Sequence, residues 1–435
     1  MDKDNNKAGF LEALAKVQPR EVKATAVSFA LVLILMAAYY ILRPVRDAMS
    51  SEWSDAEVSL LWTINFFFSF LVVAVYGFAA SRLSLRHLVP AVYGFFAFTF
   101  LAFFVLSQGS QDTVLIDKAF YVWVSVFSLF PISVFWSFMA DVYSQEQSKR
   151  LFGVITTGAS VGAMIGPSIP LLFSDVLDTY SLMLVAATVL LGTLPIIYYL
   201  EKIKISELGN VGVHGEAAQM QSLGGDFWAG FRLFLSNPLL LGIGAFLFLY
   251  TGIGSFVYFE LKNLMADYSR AERTEIWAFM DLATNTLTIV AGLLITSRLT
   301  TRFGLGVTLA AIPLLVMGGL LSVAMVPVLS IVVGLQIVRR SGNYGVTRPA
   351  REMLFTYVDQ ETRFKAKQVI DVVVYRGGDV FWGWAFTGLT QVLGLGMAAI
   401  AGIGAGIAAV WAALGLYLGR QTADREGEVG AAKSS

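Results

Sequence analysis

The sequence contains no cysteine, which excludes disulfides, thiolate metal sites and cysteine nucleophiles. Its only two histidines, His87 and His214, lie in polar segments, so a histidine metal cluster is not expected. Charge is scarce as well: 14% of residues are Asp, Glu, Lys or Arg, against about 25% in soluble domains. The formal charges cancel, so no net field points to nucleic acid as a partner. No nucleophile–base set and no P-loop sequence is present, and neither an enzyme nor a bound cofactor is expected. Residues Met1–Lys23 mix acids and bases without a short apolar stretch ending at a cleavage site, so the first apolar run reads as a retained span.

What the chain has is apolar surface. Hydrophobic residues make up 56% of it, more than a soluble core of this length could hide, so lipid must solvate much of the protein. Runs of roughly 20 apolar residues, enough to cross a bilayer, fall near 24–43, 58–80, 88–106, 115–140, 151–174, 180–200, 238–259, 275–297, 304–325, 326–346, 367–392 and 394–418. The fold class is therefore an all-α membrane protein of about twelve transmembrane helices. A polar linker, 201–237, separates a first bundle, 24–200, from a second, 238–418, with tails at 1–23 and 419–435.

Lys and Arg orient the chain. The two tails and the even-numbered connections hold 24 of them and the odd-numbered connections 6, with Arg376 inside a span. This is the positive-inside pattern of a multi-pass protein of the cytoplasmic (inner) membrane with both termini in the cytoplasm.

The halves repeat. Ser81-Arg-Leu-Ser-Leu-Arg-His87 after the second span matches Ser297-Arg-Leu-Thr-Thr-Arg-Phe303 after the eighth, 216 residues on. Gln145-Glu146 matches Gln360-Glu361, and Val154-Ile155 matches Val369-Ile370, at 215. Arg46 meets Lys262 at 216. An even number of spans per repeat makes the two repeats parallel, the arrangement of major-facilitator halves, in which a site near the bilayer midplane opens alternately to either side. The competing expectation is a membrane sensor or scaffold that keeps the architecture without turnover.

Three ordered segments carry a resemblance. They are Tyr40-Ile-Leu-Arg-Pro-Val-Arg-Asp47; Phe135-Trp-Ser-Phe-Met-Ala-Asp141 followed by Gln145-Glu-Gln-Ser-Lys-Arg-Leu-Phe-Gly153; and Arg348-Pro-Ala-Arg-Glu-Met353 with Lys365-Ala-Lys-Gln-Val-Ile-Asp-Val-Val373 and Arg376. Together they are similar to motifs of the ATP/ADP translocases of plastids and intracellular bacteria. The resemblance implies an antiporter that binds and exchanges ATP, ADP or another nucleotide, or a related organic anion. In that family an acid lies in the seventh span; here Tyr258 takes its place and Glu260 follows two residues later. The alternative is a non-nucleotide solute with proton coupling.

Each candidate residue has a structural reading beside the functional one. Arg43, Arg46 and Lys262 could grip an anion with cations from both halves, or snorkel to an interface with Asp47 as counter-ion. Asp281 and Asn285 share a helical face at i, i+4 and could carry a coupling proton or neutralise an arginine. Arg376 is a candidate anion ligand, yet Asp371 and Asp379 crowd it and an Arg376–Asp379 pair at i, i+3 would consume its charge. Arg351, with Glu352, is a substrate or gate candidate. Trp136 and Tyr40 could stack on a base, or belong to the aromatic belts. The remaining loop cations, Arg82, Arg86, Lys149, Arg150, Arg298, Arg302, Arg363, Lys365 and Lys367, suit orientation and lipid headgroups, with gating as the alternative. Gly153, Gly158, Gly162 and Gly166 form a stripe expected to admit a close neighbouring helix. A small anionic solute and membrane lipid are the expected partners, and the chain is expected to act as a monomer.

Overall fold

The computed structural model describes residues 17–109, 111–208, 227–359, 362–363, 366–367 and 369–434, with side chains left aside at Ser81, 227–229 and 424–434. Among them no strand occurs. In hydrocarbon every backbone N–H and C=O must be satisfied within the segment, which leaves helices as the available form. The first span is Val22–Met49 and the second Asp55–Arg82, followed by Leu85–Gly109, Val114–Val142, Gln145–Leu172 and Thr179–Leu208. The second set comprises Pro238–Leu264, the long helical run Arg270–Met325, Leu329–Gly342 continued through Arg348–Leu354, Val369–Val374 continued through Thr387, and Met397–Ser434. Gly304, at φ +79, breaks the run Arg270–Met325 into the eighth and ninth spans, a backbone state that glycine adopts at little cost. The twelve-span architecture holds.

Several boundaries differ from expectation. The sixth span continues to Leu208 and a short helix, Phe227–Ser236, precedes the seventh, so the 201–237 linker loses both its ends to helix. Its middle, with His214, lies outside the described residues, as do Gln360, Glu361, Lys365 and most of the N-terminal tail. The C-terminal tail continues the twelfth helix.

Helix caps repeat with the sequence. Ser54 and Glu57 bond each other's backbone N–H at the start of the second span, and Ser269 and Glu272 do the same at the eighth. Ser144 and Gln147 box the fifth span, and at the matching place Asp359 accepts from the Thr362 N–H. Such caps satisfy the orphan donors of a helix start.

The chain forms two compact units, and they cross the sequence halves. One holds Met1–Ser50, Phe67–Leu223 and Tyr268–Leu282; the other holds Ser51–Phe66, Gly224–Asp267 and Ala283–Ser435. In the first unit, the glycine stripe of the fifth span lies on the first span. A Cβ on Gly158 or Gly166 would stand 2.6 Å from the Phe29 or Ala37 carbonyl oxygen, and one on Gly162 would strike the Leu33 carbonyl. Gly153 meets nothing within 4 Å and takes no part. In the second unit, Gly378 of the eleventh span, 216 residues after Gly162, packs against Thr251 of the seventh.

Candidate functional site

In the first unit, the motif arginines are buried and paired. Arg46 Nη2 lies 2.6 Å from Asp47 Oδ1, its Nη1 donates to Ser125 Oγ at 3.3 Å, and its guanidinium lies over the Tyr121 ring. Arg43 approaches Asp47 at 3.8 Å and Asp281 at 3.6 Å, and both carboxylates are nearly sealed from solvent. Two guanidinium groups therefore face two carboxylates. Of the open readings for Asp281, the geometry presents the one in which it neutralises an arginine. Its helical neighbour Asn285 falls in the other unit, because the division runs through the eighth span at Leu282. Tyr40 packs edge-on against Tyr39 and beneath Arg43, and Trp136 sits between Phe135 and Phe152. The motif's Asp141 is bound to Lys204, 2.5 Å away.

Three further elements of the first unit meet at one cluster that the sequence reading missed. Arg270, opening the eighth span, donates to Asp117 Oδ2 at 2.9 Å and to the Tyr180 hydroxyl at 2.8 Å. Tyr180 in turn donates to Thr113 Oγ1.

In the second unit, Lys262 is 1% exposed and three protein oxygens lie around its ammonium. It lies 2.8 Å from Asp55 Oδ1 and donates to the Trp53 carbonyl and Asn263 Oδ1. In this conformation two hydrogen bonds and one carboxylate hold the Lys262 ammonium inside the protein.

Arg351 reaches Asp371 at 3.1 Å and Glu352 at 3.2 Å, and Glu352 also accepts from Lys367. Asp371 thus pairs across 20 residues with Arg351, although Lys367 stands four residues from it in sequence. Arg376 and Asp379 do not form the expected i, i+3 ion pair within 4 Å. Both are half-buried, and Asp379 lies within the electrostatic reach of Arg376 and Arg339.

That reach outlines a second group of residues. Arg339 and Arg340, which the loop tally included although both fall within the expected 326–346 span, are buried in the tenth span at 6% and 3% exposure. Removing them from the cytoplasmic tally leaves 22 against 6, so the asymmetry survives. Arg339 Nε donates to Gln336 Oε1 at 3.0 Å, and its guanidinium lies 5.4 Å from the centre of the Tyr250 ring. The absent side chain of Gly254 makes this possible, since a Cβ there would be 2.9 Å from Arg339 Nη1. Tyr250 and Tyr375 face each other at 6.5 Å, with Tyr344, Arg340, Arg376 and Asp379 acting on one or both. Two adjacent arginines in an apolar run were the available sequence signal, because such charges are rarely placed in a span without a partner or a role.

Nearby backbone departs from regular helix. The tenth span widens over Asn343–Thr347 and the run before the ninth over Gly292–Thr296, where Thr296 Oγ1 donates to the Gly345 carbonyl. Wide turns of this kind gather at functional sites.

Comparison with known proteins agrees with this architecture. Among solved structures, the nucleoside transporter NupG superposes at TM-score 0.60 with 14% identity over 92% of this chain and 99% of its own. A bacterial homologue of the human lysosomal transporter Spinster, inward-facing and unoccupied, superposes at 0.58 with 13% identity over 93% and 98%. At such identities the likeness is one of fold. No curated protein sequence matches. The family profile described as Major Facilitator Superfamily matches residues 28–350, about three quarters of the chain. The protein is a transporter rather than an enzyme, and it belongs to the Major Facilitator Superfamily.

Proposed function

We propose that this transporter exchanges a nucleotide or a related organic anion by alternating access, in the cytoplasmic membrane with both termini inside. One observation carries the reading. In the second unit, the buried Arg339 and Arg340 of the tenth span gather with Arg376 and Asp379 about the facing Tyr250 and Tyr375 rings, and Arg339 lies over Tyr250. Guanidinium groups bind phosphate and carboxylate through paired N–H donors, and aromatic faces accept a base. In the first unit, Arg43 and Arg46 meet Asp47 and Asp281 in ion pairs. In this reading Arg376 is an anion ligand, while Arg43, Arg46 and Lys262 hold the structure until the conformation changes. The ATP/ADP-translocase-like motifs support a nucleotide, and so does the likeness to a protein described as a nucleoside transporter.

The test is counterflow. Purified protein in liposomes loaded with ADP, other nucleotides, a nucleoside or inorganic phosphate should take up the labelled form of one of them against its own external dilution. Absence of flux with every one of these, with or without a proton gradient, sinks the exchanger reading. A second reading, coupling to protons, is favoured by one carboxylate of the seventh span.

A further inference from the structure

Glu260 lies one turn before the end of the seventh span, Pro238–Leu264, and is 2% exposed. Neither of its carboxylate oxygens has a hydrogen-bond partner. It also has no cation within 4 Å, which sets it apart from other sealed carboxylates among the described residues. Asp47 has Arg46, Asp55 has Lys262, Asp117 has Arg270, Asp141 has Lys204 and Asp281 has Arg43. Burying an ionised carboxylate without a partner costs several kcal/mol even after relaxation. A carboxylic acid bearing its proton avoids most of that cost.

The charged groups around it do not supply the missing partner. On its own span, Lys262 is committed to Asp55 and, two positions on, points away from the Glu260 face. The outer part of the second span brings Asp55, already paired, and Glu57, which caps Ser54. From the tenth span, Arg339 meets the seventh at Gly254, six residues or about 9 Å along the helix axis away. Arg340, Tyr344, Tyr375, Arg376 and Asp379 gather about Tyr250, about 15 Å down the same axis. Asp371, in the Val369–Val374 segment, is held by Arg351. Arg232, on the Phe227–Ser236 helix, lies beside the opposite end of the seventh span, and the twelfth span carries no ionisable group from Met397 to Leu416.

We propose that Glu260 is a proton-carrying site of this transporter. It holds a proton in the conformation described here, and the O–H bond breaks, with the proton passing to water, when the adjoining end of the seventh span opens. Solute movement is thereby linked to proton movement. The proposal rests on the transporter reading above and adds the coupled ion.

Two measurements test it, and the first needs no solute. In infrared spectra at neutral pH, the carbonyl stretch of a protonated carboxylic acid should be present in the wild type and reduced in Glu260→Gln. Glutamine matches the neutral acid in size and hydrogen-bonding capacity, so folding should be retained, as a monodisperse elution profile would show. An acid band unchanged by the substitution overturns the proposal. In the second, liposomes with the membrane potential clamped at zero receive an inward proton gradient of one pH unit, and labelled ADP, a nucleoside and inorganic phosphate are the probes. One proton per solute gives the wild type about tenfold accumulation of the transported probe. Glu260→Gln should drop to no accumulation while keeping counterflow. Gradient-driven accumulation equal to wild type in Glu260→Gln also overturns the proposal. If the wild type moves none of these probes, the exchange reading fails, and the infrared band alone decides whether Glu260 holds its proton.

Discussion

Asp281 of the eighth span stands 3.6 Å from Arg43 of the first, two residues 238 positions apart that complete one buried, charge-balanced group with Asp47 and Arg46. The contact is long, and Arg43 keeps Asp47 as a second counter-ion. Asp281→Asn should therefore cost about 1–3 kcal/mol, less than the loss of a tightly bonded buried pair. Thermal unfolding in detergent would measure it. Arg43→Gln combined with Asp281→Asn should recover part of the loss in a double-mutant cycle.

Lys262 provides a harsher case. Asp55→Asn leaves an ammonium group that is 1% exposed without its carboxylate, so about 3 kcal/mol of destabilisation is expected. Lys262→Met with Asp55→Leu should be closer to wild type than either single change, because no bare charge remains. A double variant less stable than Asp55→Asn would contradict this account of Lys262.

The glycine stripe predicts a contrast within one helix. Gly162→Ala forces the first and fifth spans apart at the Leu33 carbonyl and should cost about 1–3 kcal/mol. Gly153→Ala enters open space and should be neutral or slightly stabilising through helix propensity. Melting temperatures of the two purified variants are the comparison.

Acid sensitivity should arise at the start of the first span. Burial raises the Glu21 carboxyl, but the Arg150 guanidinium, bonded to both its oxygens at 2.8 and 3.0 Å, prevails and holds it below its ordinary value of 4.5. A lowered carboxyl contributes stability that is present above the unfolded value and lost as pH falls through the folded one. Wild type should thus lose stability below about pH 4.5 more steeply than Glu21→Gln, as melting curves from pH 6 to pH 3 would show.

Transport should separate the two arginine groups. Arg339→Gln and Arg376→Gln should each lower counterflow at least tenfold with little change in melting temperature, since neither takes part in an ion pair within 4 Å. Arg46→Gln should lower transport and stability together. Full counterflow in both Arg339→Gln and Arg376→Gln would remove them from the solute site.

Hydropathy, loop charge and the repeat offset made the spans legible because each is a local or periodic property of the chain. The glycine stripe was legible for the same reason, apart from Gly153. Ion-pair partners were not. Asp371 had a plausible mate four residues away in Lys367, yet its partner is Arg351, and Lys367 goes to Glu352. Arg270 and Asp117 are 153 positions apart, and no spacing rule links them. Arg339 and Arg340 looked like loop charges because they fall near the end of an apolar run, where positive-inside counting expects cations.

The crossing of the units at Phe66 and Leu282 bears on how the protein is made. Ser59 and Thr63 of the second span find their partners in Thr387 and Trp384, and Trp62 packs on Tyr258 and Phe259. A ribosome that has threaded the first six spans into the membrane has not yet synthesised any of these four partners. The second-span segment therefore waits unhoused until Thr387 has emerged, 321 residues after Phe66. Expressed as two separate polypeptides cut within the central linker, neither fragment would hold a complete unit, and each would need the other to finish folding.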